Sequence, residues 1–175
     1  MADDSYLTIK LNETYAPFPP PTSVTEAYAL KILDFIQELG VQDKGIIAVA
    51  TPQGTKITTV YVALSAGLLS GLTEKIKGGY SAIEKRMQQG FEKVSLRLCT
   101  DISLVKQHCK RPSCAEPKIL SEIVKLGKKI GSLCVIGFPD NEIEGYVVIG
   151  TSNTTYLHPC QDCKNLGGSH SERLK

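Results

Sequence analysis

The sequence predicts a three-layer α/β fold, a central mixed β-sheet with helices on both faces. Three observations predict it. Short β-branched runs alternate with amphipathic segments of helical period, glycine and proline fall between them, and 175 residues suit one mid-sized core. At 42% hydrophobic and 22% charged, with 15 glycines and 9 prolines, the composition is that of an ordinary globular chain and excludes collagen-like and disordered classes. The formal charge of +2 neither demands nor excludes a polyanionic partner.

The elements follow in chain order. Tyr15 to Pro21 reads Tyr-Ala-Pro-Phe-Pro-Pro-Pro, which cannot be helical, so residues 1–22 are expected as an extended arm. Ser23 with Glu26 suggests a capping box, and Tyr28, Ile32, Phe35, Ile36 and Leu39 then recur on one face as far as Gly40. This is a first helix. The runs Gly45 to Thr51 and Lys56 to Leu64, joined by Pro52-Gln53-Gly54, predict a β-hairpin. Leu72 to Gln89 predicts a helix interrupted at Gly78-Gly79, and Val94, Leu96 and Leu98 alternate as in a half-buried strand. From Ala115 onward, Ile119, Leu120, Ile123, Val124 and Leu126 form an apolar stripe at helical spacing, with Lys118, Lys125, Lys128 and Lys129 around it. Leu133 to Phe138 and Tyr146 to Ile149, separated by Pro139-Asp140-Asn141, predict two further strands before Pro159 opens a last helical turn. The domain is thus expected over residues 23–166, with 167–175 a polar tail.

No window approaches the roughly 18 apolar residues of a membrane span, and Met1 to Leu7 lacks the apolar region of an export signal. A cytoplasmic setting and no membrane partner are expected. Six cysteines are too few for a disulfide scaffold, so each is expected as a ligand, a catalyst or a core filler.

Two motifs carry the chemistry. Cys114-Ala115-Glu116 falls where the second major helix begins, and Pro159-Cys160-Gln161-Asp162-Cys163 falls where the last turn begins. Thiolates at helix N-termini sit at the positive end of the dipole and suit Zn²⁺. Three of them leave one tetrahedral position open to water, which distinguishes catalytic from structural zinc. Glu116, two residues beyond Cys114, can stay near such a metal without ligating it, take a proton from the water and pass it to a leaving amine. Other arrangements use the same residues. Cys109 with Cys114, Cys160 and Cys163 would make a closed Cys₄ site in a non-catalytic binding module, and His158 is either a ligand or a pocket-lining residue. Cys99 and Cys134, in apolar runs, read as core residues, and His108 and His170 as surface residues.

Together, Cys-Ala-Glu and Pro-Cys-x-x-Cys resemble the signature of the zinc-dependent nucleobase deaminase superfamily, His/Cys-x-Glu followed by Pro-Cys-x-x-Cys. The resemblance implies a cytidine-deaminase-like fold over roughly Ser23 to Leu166, with Zn²⁺ on Cys114, Cys160 and Cys163. It also implies Glu116 as proton shuttle and the Ala115 amide near the substrate. There are two departures from the free-cytidine enzymes. An Asn-x-Glu segment for ribose is missing, and Cys160-Gln161-Asp162-Cys163 stands in place of Cys-Gly-x-Cys. The string Cys-Ala-Glu-Pro-Lys is most similar to divergent deaminases at the ends of bacterial polymorphic toxins, some of which act on DNA or RNA bases and are delivered to a target cell.

The expected activity is therefore hydrolytic conversion of cytosine to uracil in single-stranded nucleic acid, DNA before RNA. A free nucleoside or nucleotide deaminase and the Cys₄ module are the alternatives. Arg97, Lys106, Lys110, Arg111 and Lys118 lead into the motif and Lys125, Lys128 and Lys129 follow it, so they are expected either as a phosphate-binding rim or as a solvated face. Substrate contacts are expected from Lys110, Arg111, Lys118 and His158. Tyr61, Tyr80 and Tyr156 are candidate stacking surfaces, with core packing the alternative for a strand aromatic.

Overall fold

The computed structural model describes residues 19, 21–54, 56–101, 115–140, 148–150 and 155–157. Helix α1 spans Ser23–Glu38. Its cap lies one residue before the expected Ser23. Thr25 N donates to Thr22 Oγ1 at 3.4 Å and Thr22 N donates to Thr25 Oγ1 at 2.9 Å, closing a box between two threonines. The face that packs inward decides this register, because Thr25 is buried in line with Ala29, Ile32 and Ile36. Gly40, at φ +73°, takes the left-handed position after the helix as expected.

Strands β1 (Gly45–Pro52), β2 (Thr59–Leu64), β3 (Ser95–Leu98) and β4 (Ile130–Phe138) form a four-stranded mixed sheet in the order β3-β2-β1-β4. Strand β1 is antiparallel to both β2 and β4, and β3 is parallel to β2. Consequently β2, β3 and β4 all run one way, with carboxyl ends at Leu64, Leu98 and Phe138. The run Ile46 to Thr51 of β1 is buried throughout, as a strand covered on both faces requires. Registers assign the faces. Cys134, Val49, Val62 and Leu98 share one, and Leu133, Ala50, Tyr61 and Arg97 share the other. The first faces α1, whose Glu26 carboxylate acts on the Cys134 thiol. The second faces helix α4 (Ala115–Lys125), whose Glu122 pairs with Arg97 at 2.8 Å. The result is a sheet flanked by helices on both sides, consistent with three layers. Small Ala48, Ala50 and Ala63 lie toward α4 and bulky Ile47, Val49, Val62 and Leu64 toward α1, each of the latter contributing about 1.5–3 kcal/mol on burial.

Two elements differ from the sequence expectation. The helix expected from Leu72 is interrupted at Gly78-Gly79 as expected, giving α2 (Ala66–Lys75) and α3 (Gly79–Gln88), but the first begins six residues earlier. Its glycines hid it, since glycine lowers helix propensity. Gly71 is needed for packing, because a Cβ there would stand 2.9 Å from Val41 Cγ1. The strand expected at Tyr146 to Ile149 is β5 (Val148–Gly150), and it pairs antiparallel with a strand that was not expected, β6 (Thr155–Leu157). Strand β4 pairs with β1 along one edge, and β6 lies beside β4. The arm over residues 1–18, the turn at Pro159 and the tail over 167–175 lie outside the described residues. No helix among the described residues is long and apolar enough to cross a membrane.

Edge strand β3 shows how side chains complete a backbone ladder. Ser95 N and Cys99 N donate to Thr58 O and Val62 O of the β2 segment, which turns the N–H groups of Leu96 and Leu98 outward. Side chains of α3 meet them. Leu96 N donates to Gln88 Oε1 at 2.6 Å and Leu98 N donates to Glu84 Oε2 at 2.9 Å, while Gln88 Nε2 donates to Phe91 O and Val94 O. A sheet edge capped in this way cannot recruit another strand. At about 1 kcal/mol per hydrogen bond, Gln88→Ala is expected to lower the unfolding free energy by about 3 kcal/mol and to promote self-association. Urea unfolding checks this; a loss well below 1 kcal/mol would mean that water replaces Gln88.

Cys99 and Cys134 are buried core residues, as expected. Burial pushes both thiols well above the ordinary range, helped by the Glu122 carboxylate for Cys99 and by Glu26 for Cys134. Their contribution to stability is therefore whole below an unfolded-state thiol pKa of about 8.5 and falls above it, by up to about 1.4 kcal/mol per pH unit for each thiol. Unfolding measured at about pH 8.5 and pH 10 should show a loss in the wild type that shrinks by about 2 kcal/mol in Cys134→Ala. An equal loss in both proteins would exclude the thiol as its source.

Candidate active site

Helix α4 begins Ala115-Glu116-Pro117. Proline suits the first turn, where its missing N–H has no intrahelical partner to lose, and a carboxylate there meets the positive end of the helix dipole. The lysines on and after α4 are expected as a phosphate-binding rim or a solvated face; Lys125, Lys128 and Lys129 are exposed, but every residue from Ala115 to Ile123 is buried. That run includes Glu116, Lys118, Ser121 and Glu122, so α4 is a central helix rather than a surface one.

Glu116 is 1% exposed, one residue after a fully buried Ala115. Lys118 is 5% exposed, and its Nζ donates to the Leu64 carbonyl at 2.7 Å. This bond places the first turn of α4 over the carboxyl end of β2. It also corrects the expectation of Lys118 as part of an open rim: its long aliphatic stem is buried and carries the ammonium to the Leu64 main-chain oxygen, beside a pocket that Lys118 lines. A pocket of about 300 Å³ opens at the same end of the sheet, lined by Lys118, Thr100 after β3, Leu69, Ser70 and Thr73 of α2, and Tyr80 of α3. Tyr80, Ser70, Thr73 and Thr100 did not stand out as a group in the sequence, because they come from three separate segments. Of the candidate stacking residues, Tyr61 is a core residue, Tyr80 is 49% exposed, and the Tyr156 side chain lies outside the described residues.

Three other candidate cations have local partners. Arg97 is paired with Glu122, Lys125 Nζ lies 3.3 Å from Asp101 Oδ2, and Lys128 Nζ lies 3.5 Å from the Tyr61 hydroxyl. Arg97, Glu122, Asp101, Tyr61 and Lys128 line a wider cleft of about 550 Å³ together with Leu126. This cleft adjoins the smaller pocket at Thr100, which lines both, and extends along α4 from Glu122 to Leu126. Cys109, Cys114, Cys160, Cys163, Lys106, Lys110, Arg111 and His158 lie outside the described residues. Among the described residues, no group of three or more His, Cys, Asp or Glu side chains is placed to hold a metal ion. No protein-family model, curated protein or solved structure matches this chain.

Proposed function

We propose that this chain is a zinc-dependent hydrolytic deaminase that converts cytosine to uracil in single-stranded nucleic acid, with DNA favoured over RNA. The burial of Glu116 carries this reading. A carboxylate removed from water in the first turn of a central helix costs stability unless it is held by neighbours, and such groups cluster where protons are moved. A Cys₄ structural module gives this buried acid no task.

Cys114, Cys160 and Cys163 would hold the metal, and the donor set fits it: three soft thiolates suit zinc and leave a tetrahedral position for water. Zinc, when bound, acidifies that water. Glu116 accepts a proton from the water as its oxygen adds to C4 of the base, then returns it to the exocyclic nitrogen. Water is consumed, ammonia leaves and the C4 carbonyl of uracil remains. The Ala115 amide, at the start of the helix, would orient the base. Lys110, Arg111 and His158 retain their expected role as substrate contacts. A second reading, a free nucleoside or nucleotide as substrate, is favoured by the pairing of Arg97 with Glu122 and of Lys125 with Asp101, which reduces the charge offered to a phosphate backbone.

One assay tests both readings. Zinc-loaded protein is incubated with a single-stranded oligodeoxynucleotide, an oligoribonucleotide, cytidine and deoxycytidine, and uracil formation is read by sequencing or chromatography. Conversion of the oligodeoxynucleotide is expected. Conversion of free nucleosides alone would select the second reading, and conversion of none would reject cytosine deamination.

A further inference from the structure

We propose that the pocket over the carboxyl ends of β2 and β3 is a nucleotide subsite, where Lys118 meets a backbone phosphate and Tyr80 stacks the adjoining base. It rests on the deaminase reading for the base presented to Glu116, and it assigns the residues that hold the phosphate and the neighbouring base of that substrate.

Position is the first support. In open α/β sheets, ligands settle beyond the carboxyl ends of the strands, and this pocket is lined by Thr100, just past β3, and by Lys118, whose ammonium meets the last carbonyl of β2. Chemistry is the second. The Leu64 carbonyl holds the Lys118 ammonium in a fixed place on the pocket wall, so ligand binding need not order a long flexible side chain. Ser70, Thr73 and Thr100 add hydroxyls of the kind that meet phosphate oxygens. The third support is Tyr80. Its ring stands 49% exposed in the first turn of α3, just after the Gly78-Gly79 break, and forms part of the same wall. An aromatic face beside a fixed cation is the combination by which proteins hold single strands without reading their sequence.

Binding is measured by fluorescence anisotropy on the zinc-loaded chain, using a labelled single-stranded oligodeoxynucleotide of about 12 residues with one cytosine. Deoxycytidine monophosphate and deoxycytidine serve as competitors. Tyr80→Ala is expected to weaken binding about 10-fold while Tyr80→Phe retains it, as stacking requires. Lys118→Met should weaken binding at low salt and reduce the salt slope by about one. The monophosphate should compete better than the nucleoside. If it competes as well as the unlabelled oligonucleotide, the phosphate comes from a free nucleotide; if it competes far less, from a strand. Because Lys118 is buried, its variant is checked by circular dichroism, and if it unfolds the exposed Tyr80 pair decides alone. Equal binding by wild type and Tyr80→Ala, or no oligonucleotide binding by wild type, overturns the subsite. Conversion of cytosine with Tyr80-independent binding would overturn the subsite and leave the deaminase standing. Tyr80-dependent binding without conversion would do the reverse.

Discussion

Glu116→Gln is expected to abolish nearly all base conversion, by about 10²- to 10⁴-fold, while zinc content and thermal stability stay at wild-type values. The amide matches the carboxylate in volume and keeps a hydrogen-bonding oxygen, so the first turn of α4 should pack as before. It cannot accept and return a proton. Glu116→Ala should lose as much activity, and it adds the effect of a small void at a position only 1% exposed. Metal analysis separates the roles. Loss of zinc in Glu116→Gln would make this residue a ligand, and retained activity would reject it as the proton carrier.

Purified chain is expected to hold about one zinc, and Cys114→Ser, Cys160→Ser or Cys163→Ser should each remove most of it together with the activity. Cys109→Ser is the discriminating variant. Unchanged zinc and unchanged conversion in Cys109→Ser fit a three-thiolate site with an open position, whereas parallel loss of zinc in all four variants would indicate a closed Cys₄ site. Exchange of Cys99 or Cys134 should leave zinc in place, because both are buried in strands of the core, or next to one, with their thiols held protonated.

The two expectations differ in what they draw on. The cysteine roles come from motif spacing, which is visible in the chain as written. The weight on Glu116 comes from its burial, which is not. A Cys-x-Glu at a helix start is equally compatible with a solvated carboxylate, and the lysines at 118, 125, 128 and 129 suggest a wet helix. Folding removes that ambiguity by placing α4 directly against β1 and β2.

Local signals were sufficient wherever one segment determines its own structure. The stripe ending at Gly40 defines α1 because apolar period and a left-handed terminus act within one helix. The hairpin of β1 and β2 follows from two β-branched runs around Pro52-Gln53-Gly54, and α4 from Ile119, Leu120 and Ile123. Signals failed where a distant segment sets the outcome. Residues 66–75 are helical despite Gly67 and Gly71, since burying Leu68, Leu69 and Leu72 outweighs glycine's propensity cost of about 1 kcal/mol per residue. Strand β5 pairs with β6, a partner that no residue of β5 specifies by itself.

By itself, then, the sequence determined the α/β alternation, the main helices and the central hairpin, and the cysteine and glutamate spacing that points to zinc chemistry, because each is written within a few consecutive residues. Only the tertiary structure decided that Lys118 turns inward to Leu64, that Glu84 and Gln88 close the β3 edge, and that Tyr80, Thr100 and Lys118 share one pocket. These depend on contacts between residues 8 to 54 positions apart in the hydrogen-bonded cases, and no local propensity encodes which distant groups the packing of helices on a sheet will bring together.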